Sequence, residues 1–163
     1  MQHLVPYHVV TEGACWGGLT DEPSVRLETC DIIVFPHGDA HTLSSAPDMQ
    51  SSPKPALYSR YARSGLPVPV QTGGGGPERT RFVCGFLGCD IRPFNPLIAT
   101  LPRLLHMRDT SDGGRGWLSQ FVQLALAEAH DKRAGSDSIL ARLSELMFVE
   151  VVRRHLESLT TEL

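Results

Sequence analysis

The chain has 163 residues, 41% of them hydrophobic and 20% charged, which excludes wholesale disorder and suits one domain with a sizeable core. Fifteen basic against 18 acidic residues give a net charge of -3, so the positive footprint that phosphate backbones demand is missing and direct nucleic-acid binding by this chain is not expected. No apolar run approaches the ~18 residues of a membrane span, and Met1–Val10 has neither a basic start nor a long apolar stretch, so neither a signal peptide nor a membrane partner is expected. The four cysteines, Cys15, Cys30, Cys84 and Cys89, then read as reduced thiols of a cytoplasmic protein.

Short strands separated by turns are expected first. His8-Val9-Val10 runs into a turn at Glu12-Gly13, Ala14-Cys15-Trp16 follows, and Gly17-Gly18 punctuates before the polar turn around Asp21-Glu22-Pro23. Val25-Arg26-Leu27 alternates with period two, and the β-branched run Ile32-Ile33-Val34-Phe35, stopped by Pro36 and Gly38, predicts a buried strand. Residues 44–78, rich in Pro, Ser and Gly, predict a long flexible loop, with a short helix over Ala56–Arg63. The Gly73–Gly76 run lacks the Gly-Lys-Ser/Thr ending of a phosphate-binding loop. Strand character resumes with Arg81–Phe86.

From Asn95 the period changes to 3.6. Asn95 suits an N-cap with Pro96 in the first helical position, and Pro102 ends that helix. A second helix is predicted from Gly116 to His130 with Trp117, Phe121, Leu124 and Ala125 on its buried stripe. A third is predicted from Ser136 to Ser158 with Leu140, Leu143, Met147 and Val151 on one face. In that third helix Phe148, Val149 and Val152 point away from the stripe, so it needs cover on a second side, from the second helix or from another copy of the chain; a homodimer is the preferred expectation. His37 is read as exposed in its turn, His106, His130 and His155 as surface or helix-end residues, Trp16 and Trp117 as core, and Arg153-Arg154 as a solvated pair.

Cys30 to His41 carries the spacing of the second cupin motif: Pro36, Gly38 and His41 match it, with Cys30 in place of its first Gly and Ser45 in place of its Asn. The first cupin motif is incomplete; counted back from Gly13, its Glu falls on Pro6, and His8, two residues on, shares that inward face by alternation. With Tyr7–Trp16, Val25–Glu28, Cys84-Gly85, Asn95-Pro96-Leu97, Leu101-Pro102, Trp117-Leu118 and Leu140–Leu156 in this order, the chain resembles the cupin-type effector domain at the N-terminus of AraC-type bacterial transcription regulators. The resemblance implies a mainly β fold with C-terminal α: a small jelly-roll barrel over residues 1–93, then about three helices over residues 94–163 that pack on it and dimerise. Seven residues follow Leu156, too few for the family's DNA-reading helices, so a regulatory half alone is expected.

The same resemblance implies a small-molecule effector bound in the barrel, with His8, Val10, Phe35 and His41 as ligand-binding residues. His8, His41 and Cys84 are also candidate ligands for a divalent metal such as Zn²⁺, since imidazole and thiolate suit it; the alternative is hydrogen-bonded pocket walls with Cys84 as a small buried hydrophobe. The leading expectation is a sensing domain without catalytic activity. The alternative is a metal-dependent cupin enzyme of the isomerase or dioxygenase type, weakened by the loss of the first motif's histidines and carboxylate.

Overall fold

The computed structural model describes residues 2–49, 76–90, 95–109 and 116–161. Among the described residues seven strands form two antiparallel sheets: β1 (Gln2–Glu12), β4 (Ile32–Val34), β6 (Arg81–Asp90) and β7 (Leu105–Met107) in the order β6-β1-β4-β7, and β2 (Cys15–Leu19), β3 (Val25–Leu27) and β5 (His41–Ser44) in the order β3-β2-β5. Helices α1 (Pro96–Thr100), α2 (Trp117–Asp131) and α3 (Ser136–Thr161) follow. Among the described residues no helix is long and apolar enough to cross a membrane.

The middle of the four-stranded sheet is covered on both faces, as β1 shows, while its edge strand β6 is largely exposed. Val5, Tyr7 and Val9 join Ile32, Val34, Leu105, Leu118, Val122, Met147, Val151 and Val152 in one core, between this sheet and α2 and α3. The alternate residue Val10 joins Cys15, Leu19, Leu27, Ile33 and Phe35 in a second core, between the two sheets. One strand therefore serves both cores through its period of two, and each fully buried Met or Val contributes about 1.5–3 kcal/mol. Tyr7 ties together layers distant in sequence by hydrogen bonding: its hydroxyl meets Ser144 Oγ on α3 at 2.6 Å, and Ser144 donates to the Leu140 carbonyl. The ring lies flat over Gly85 on β6, where any Cβ would sit 2.3 Å from it, so only glycine admits this packing.

The mainly β architecture with C-terminal α is as expected, and the helix ends follow their caps. Asn95 Oδ1 accepts from the N–H groups of Leu97 and Ile98, and the α2–α3 junction is closed by Glu128, which accepts from Ser136 Oγ and Arg133. Other expectations are corrected. β2 runs through Gly17-Gly18 instead of stopping there, because a side chain on Gly17 would strike Leu43 and Leu27 across the core. β7 lies where only helix was expected, and pairs Ile33 with His106. The buried face of α2 carries Leu118 and Val122, leaving Leu124 (54% exposed) and Trp117 (45% exposed) outside, with Trp117 stacked on Phe121. On α3 Leu143, Met147 and Val151 of the expected stripe are buried and Val152 with them, whereas Leu140 is half-buried and Val149 exposed. The long loop over 44–78 falls outside the described residues from 50 to 75, as does the helix expected over Ala56–Arg63.

Cys30 occupies a left-handed conformation (φ 74°) in the Glu28–Asp31 turn, at the place where the motif has glycine. A non-glycine residue there stores about 1 kcal/mol of strain. Replacing Cys30→Gly is expected to raise stability by about 0.5–1 kcal/mol; urea unfolding of the two proteins checks this, and a lower midpoint for the variant would contradict it.

Candidate functional site

The site is built where the two sheets touch. His8 projects from β1 toward the second sheet; its neighbours in register are Ile33 on β4 and Cys84 on β6. His41 opens β5 opposite Leu19, after a reversal in which Pro36 ends β4 and Gly38 (φ 72°) turns the chain. A Cβ at Gly38 would lie 2.9 Å from the Leu4 carbonyl, which accounts for glycine at this place. The same loop is pinned from outside: His37 Nε2 donates to the Leu101 carbonyl at 2.8 Å, so His37 is not free in its turn, and Arg103 binds Asp39, Asp21 and Glu22.

His8, His41 and Cys84 meet as a directed chain. His41 Nδ1 lies 2.8 Å from the Asp39 carbonyl, which only accepts, so this nitrogen carries the proton. Neutral His41 then presents a bare Nε2, which accepts from His8 Nε2–H at 2.9 Å. His8 Nδ1 is left bare and accepts from the Cys84 thiol at 2.7 Å. Every member is satisfied with both rings neutral and the sulfur protonated. Burial, and then the charge of His41, pull His8 down to about 3. Burial also lowers His41, against the opposing bond to Asp39. Cys84 as a whole residue is exposed on its edge strand, but its sulfur turns onto His8, and burial there, then the charge of Cys15, pushes the thiol up to about 12.

Aromatic rings frame the chain. Phe35 is fully buried and stacks on His41, with centroids 3.9 Å apart and planes 14° from parallel. Phe82 meets His8 edge-on at 6.3 Å. Val10 lies in the inter-sheet core at 1% exposure, behind the site and not on its surface. The structure thus brings His8, Phe35, His41 and Cys84 together, with Val10 supporting them. Phe82 and the Asp39 carbonyl were not foreseen; the register of β6 on β1, set by Gly85 under Tyr7, is what places Phe82 here.

The donor set fits a three-ligand metal centre poorly. His8 turns opposite ring nitrogens to Cys84 and to His41, so the three do not converge on one point. Among the described residues no group of three or more His, Cys, Asp or Glu side chains is disposed to hold a metal ion. His106, expected at the surface, instead lies on β7 with its Nε2 2.9 Å from Asp31 Oδ2, the carboxylate that also accepts from the Glu28 N–H in the turn.

His8 links the stability of this site to pH. Its folded value near 3 lies below the ordinary 6.5, so between these values the unfolded chain binds the proton and the folded chain does not. The contribution of neutral His8 is therefore complete above about pH 6.5 and is lost as pH falls toward 3, by up to about 1.4 kcal/mol per pH unit. Urea unfolding between pH 7 and pH 4 is expected to show this loss and His8→Leu to flatten it; an unchanged slope in the variant would contradict the assignment.

The family described as Cupin matches residues 2–157. An uncharacterized HTH-type transcriptional regulator of Haemophilus influenzae is 24% identical over 153 residues, covering 93% of this chain and 47% of that protein. The HTH-type transcriptional regulator AlkR of Acinetobacter baylyi is 24% identical over 158 residues, covering 93% of this chain and 50% of that protein. The chain spans about half the length of the curated relatives it matches. No solved structure matches it significantly.

Proposed function

The chain belongs to the cupin family, and from that premise we propose that it is a small-molecule-sensing regulatory domain of the AraC type, cytoplasmic, with its effector in the barrel at His8, Phe35 and His41 and its output through the C-terminal helices. The observation that carries this reading is the contact of His8 with His41, one imidazole from each sheet, inside an aromatic frame. A molecule that alters this contact alters how the two sheets sit together, and β1 hands that change to α3 through Tyr7 and Ser144. Such a ligand acts by its different affinity for two arrangements. Two relatives named as transcriptional regulators support the regulatory part of the reading. The metal-enzyme alternative draws no support from a donor set that saturates itself by hydrogen bonding.

The proposed partner at the helices is a second copy. Ile139, Leu146, Val149 and Leu156 are all exposed on α3, each between 42% and 54%. Their spacings of seven, three and seven residues are those of a coiled-coil seam. Arg142 and Arg153 lie along the same line and are held by Glu145 and Glu150.

A thermal-shift screen with small metabolites tests the sensing role. A ligand at about 100 times its Kd adds about 2.7 kcal/mol of stability, a rise of several degrees in Tm, and His41→Leu is expected to abolish it. No stabilising compound of any class, or an undiminished shift in the variant, would contradict the proposal. Sedimentation of the chain is expected to give a dimer that Leu146→Glu converts to monomer; a wild-type monomer at high concentration would remove the dimer from it.

A further inference from the structure

We propose that the barrel site takes an uncharged, apolar small molecule, held on the inner face of β1 and β6 by Leu4, Phe82 and Phe86 and recognised by shape instead of hydrogen bonds. This rests on the sensing reading above and adds the chemical class of the ligand.

The first argument is register. Directly opposed residues of an antiparallel pair share a face, and β1 and β6 oppose Pro6 to Phe86, His8 to Cys84 and Val10 to Phe82. Leu4, two residues before Pro6, lies on the same face by alternation. The surface that carries His8 therefore continues as an apolar one. Leu4 is 49%, Phe82 40% and Phe86 55% exposed, although the opposite face of the same strands is packed against the helices.

The second argument is hydrogen-bonding capacity. Cys84, His8 and His41 give their donors and acceptors to one another, and the chain ends on a backbone carbonyl. A ligand carboxylate, which only accepts, would take the proton of one member and orphan the next, at a cost of about 1–3 kcal/mol for each buried group left unpaired. A hydrocarbon or aromatic surface claims none of them.

The third argument is charge. Two of the described cations near the sheets are already engaged: Arg103 by Asp21, Glu22 and Asp39, and Arg81 by Glu12. An anion seated beside His8 would give up its hydration and find there two imidazoles that burial holds neutral, with Arg81 and Arg103 committed elsewhere. The site's position also favours a small molecule over a folded partner. The patch adjoins the point where the sheets are close enough for His8 to touch His41, whereas a helix is about 10–12 Å across with its side chains.

Two fluorescent probes of one skeleton test this on the full chain: uncharged N-phenyl-1-naphthylamine and its sulfonated counterpart 1-anilinonaphthalene-8-sulfonate. The uncharged probe is expected to bind saturably, one per chain, at least about tenfold more tightly than the sulfonate. Phe86→Ser and the milder Phe82→Leu are expected to weaken it several-fold with the circular dichroism unchanged, and Leu146→Ser on α3 to leave it unaltered. Tighter binding of the sulfonate that still responds to Phe86→Ser would overturn the ligand class and leave barrel sensing intact. Binding lost with Leu146→Ser and not with Phe86→Ser would place the probe on α3 and overturn the inference. A change of oligomeric state on Phe86→Ser would make the face an interface between copies and overturn it equally. If neither probe responds to Phe86→Ser or to His41→Leu, the sensing reading falls as well.

Discussion

The Asp39 carbonyl sets the state of the site. Because it can only accept, it fixes the proton on His41 Nδ1, and each later bond in the line follows from that choice: His8 donates to His41, and Cys84 donates to His8. The result is a polar thread through the inter-sheet region in which no group needs a charge. Burial favours the same outcome, holding His8 and His41 neutral and the thiol protonated. Arg103 holds Asp39 from outside, so the polarity of the thread is anchored to a surface ion-pair cluster on the loop that carries His41.

β1 makes the site more than a local feature. Its even-numbered residues face the second sheet, and its odd-numbered ones face the helices. His8 is preceded on the strand by Tyr7, whose ring lies against Gly85 and whose hydroxyl is bonded to α3. The strand thus joins the inter-sheet core to the helices, and its pairing with β6 sets Phe82 and Phe86 on the face that carries His8.

Much of this was legible in the sequence. Pro36, Gly38 and His41 marked the turn that returns an imidazole to the barrel, alternation placed His8 on the inward face, and Asn95-Pro96 gave the start of α1. Other features depend on contacts distant in sequence and leave no periodic trace. β7 has three residues, too short to show a period, and is a strand because β4 needs a partner. Gly17-Gly18 reads as a break locally but is a strand because the core leaves no room for a side chain at Gly17. The stripe on α2 was displaced by one position, since Trp117 stacks on Phe121 at the surface and Leu118 takes the buried place. Which nitrogen of His8 faces which neighbour is a matter of geometry alone, and it separates a hydrogen-bonded thread from a set of converging metal ligands.

The most direct test of the account is the protonation pattern of the two rings, read by ¹⁵N NMR of the imidazoles at neutral pH. The account predicts two neutral rings of opposite tautomer, with the proton on Nδ1 in His41 and on Nε2 in His8. Finding either ring charged, or the same tautomer in both, would contradict it.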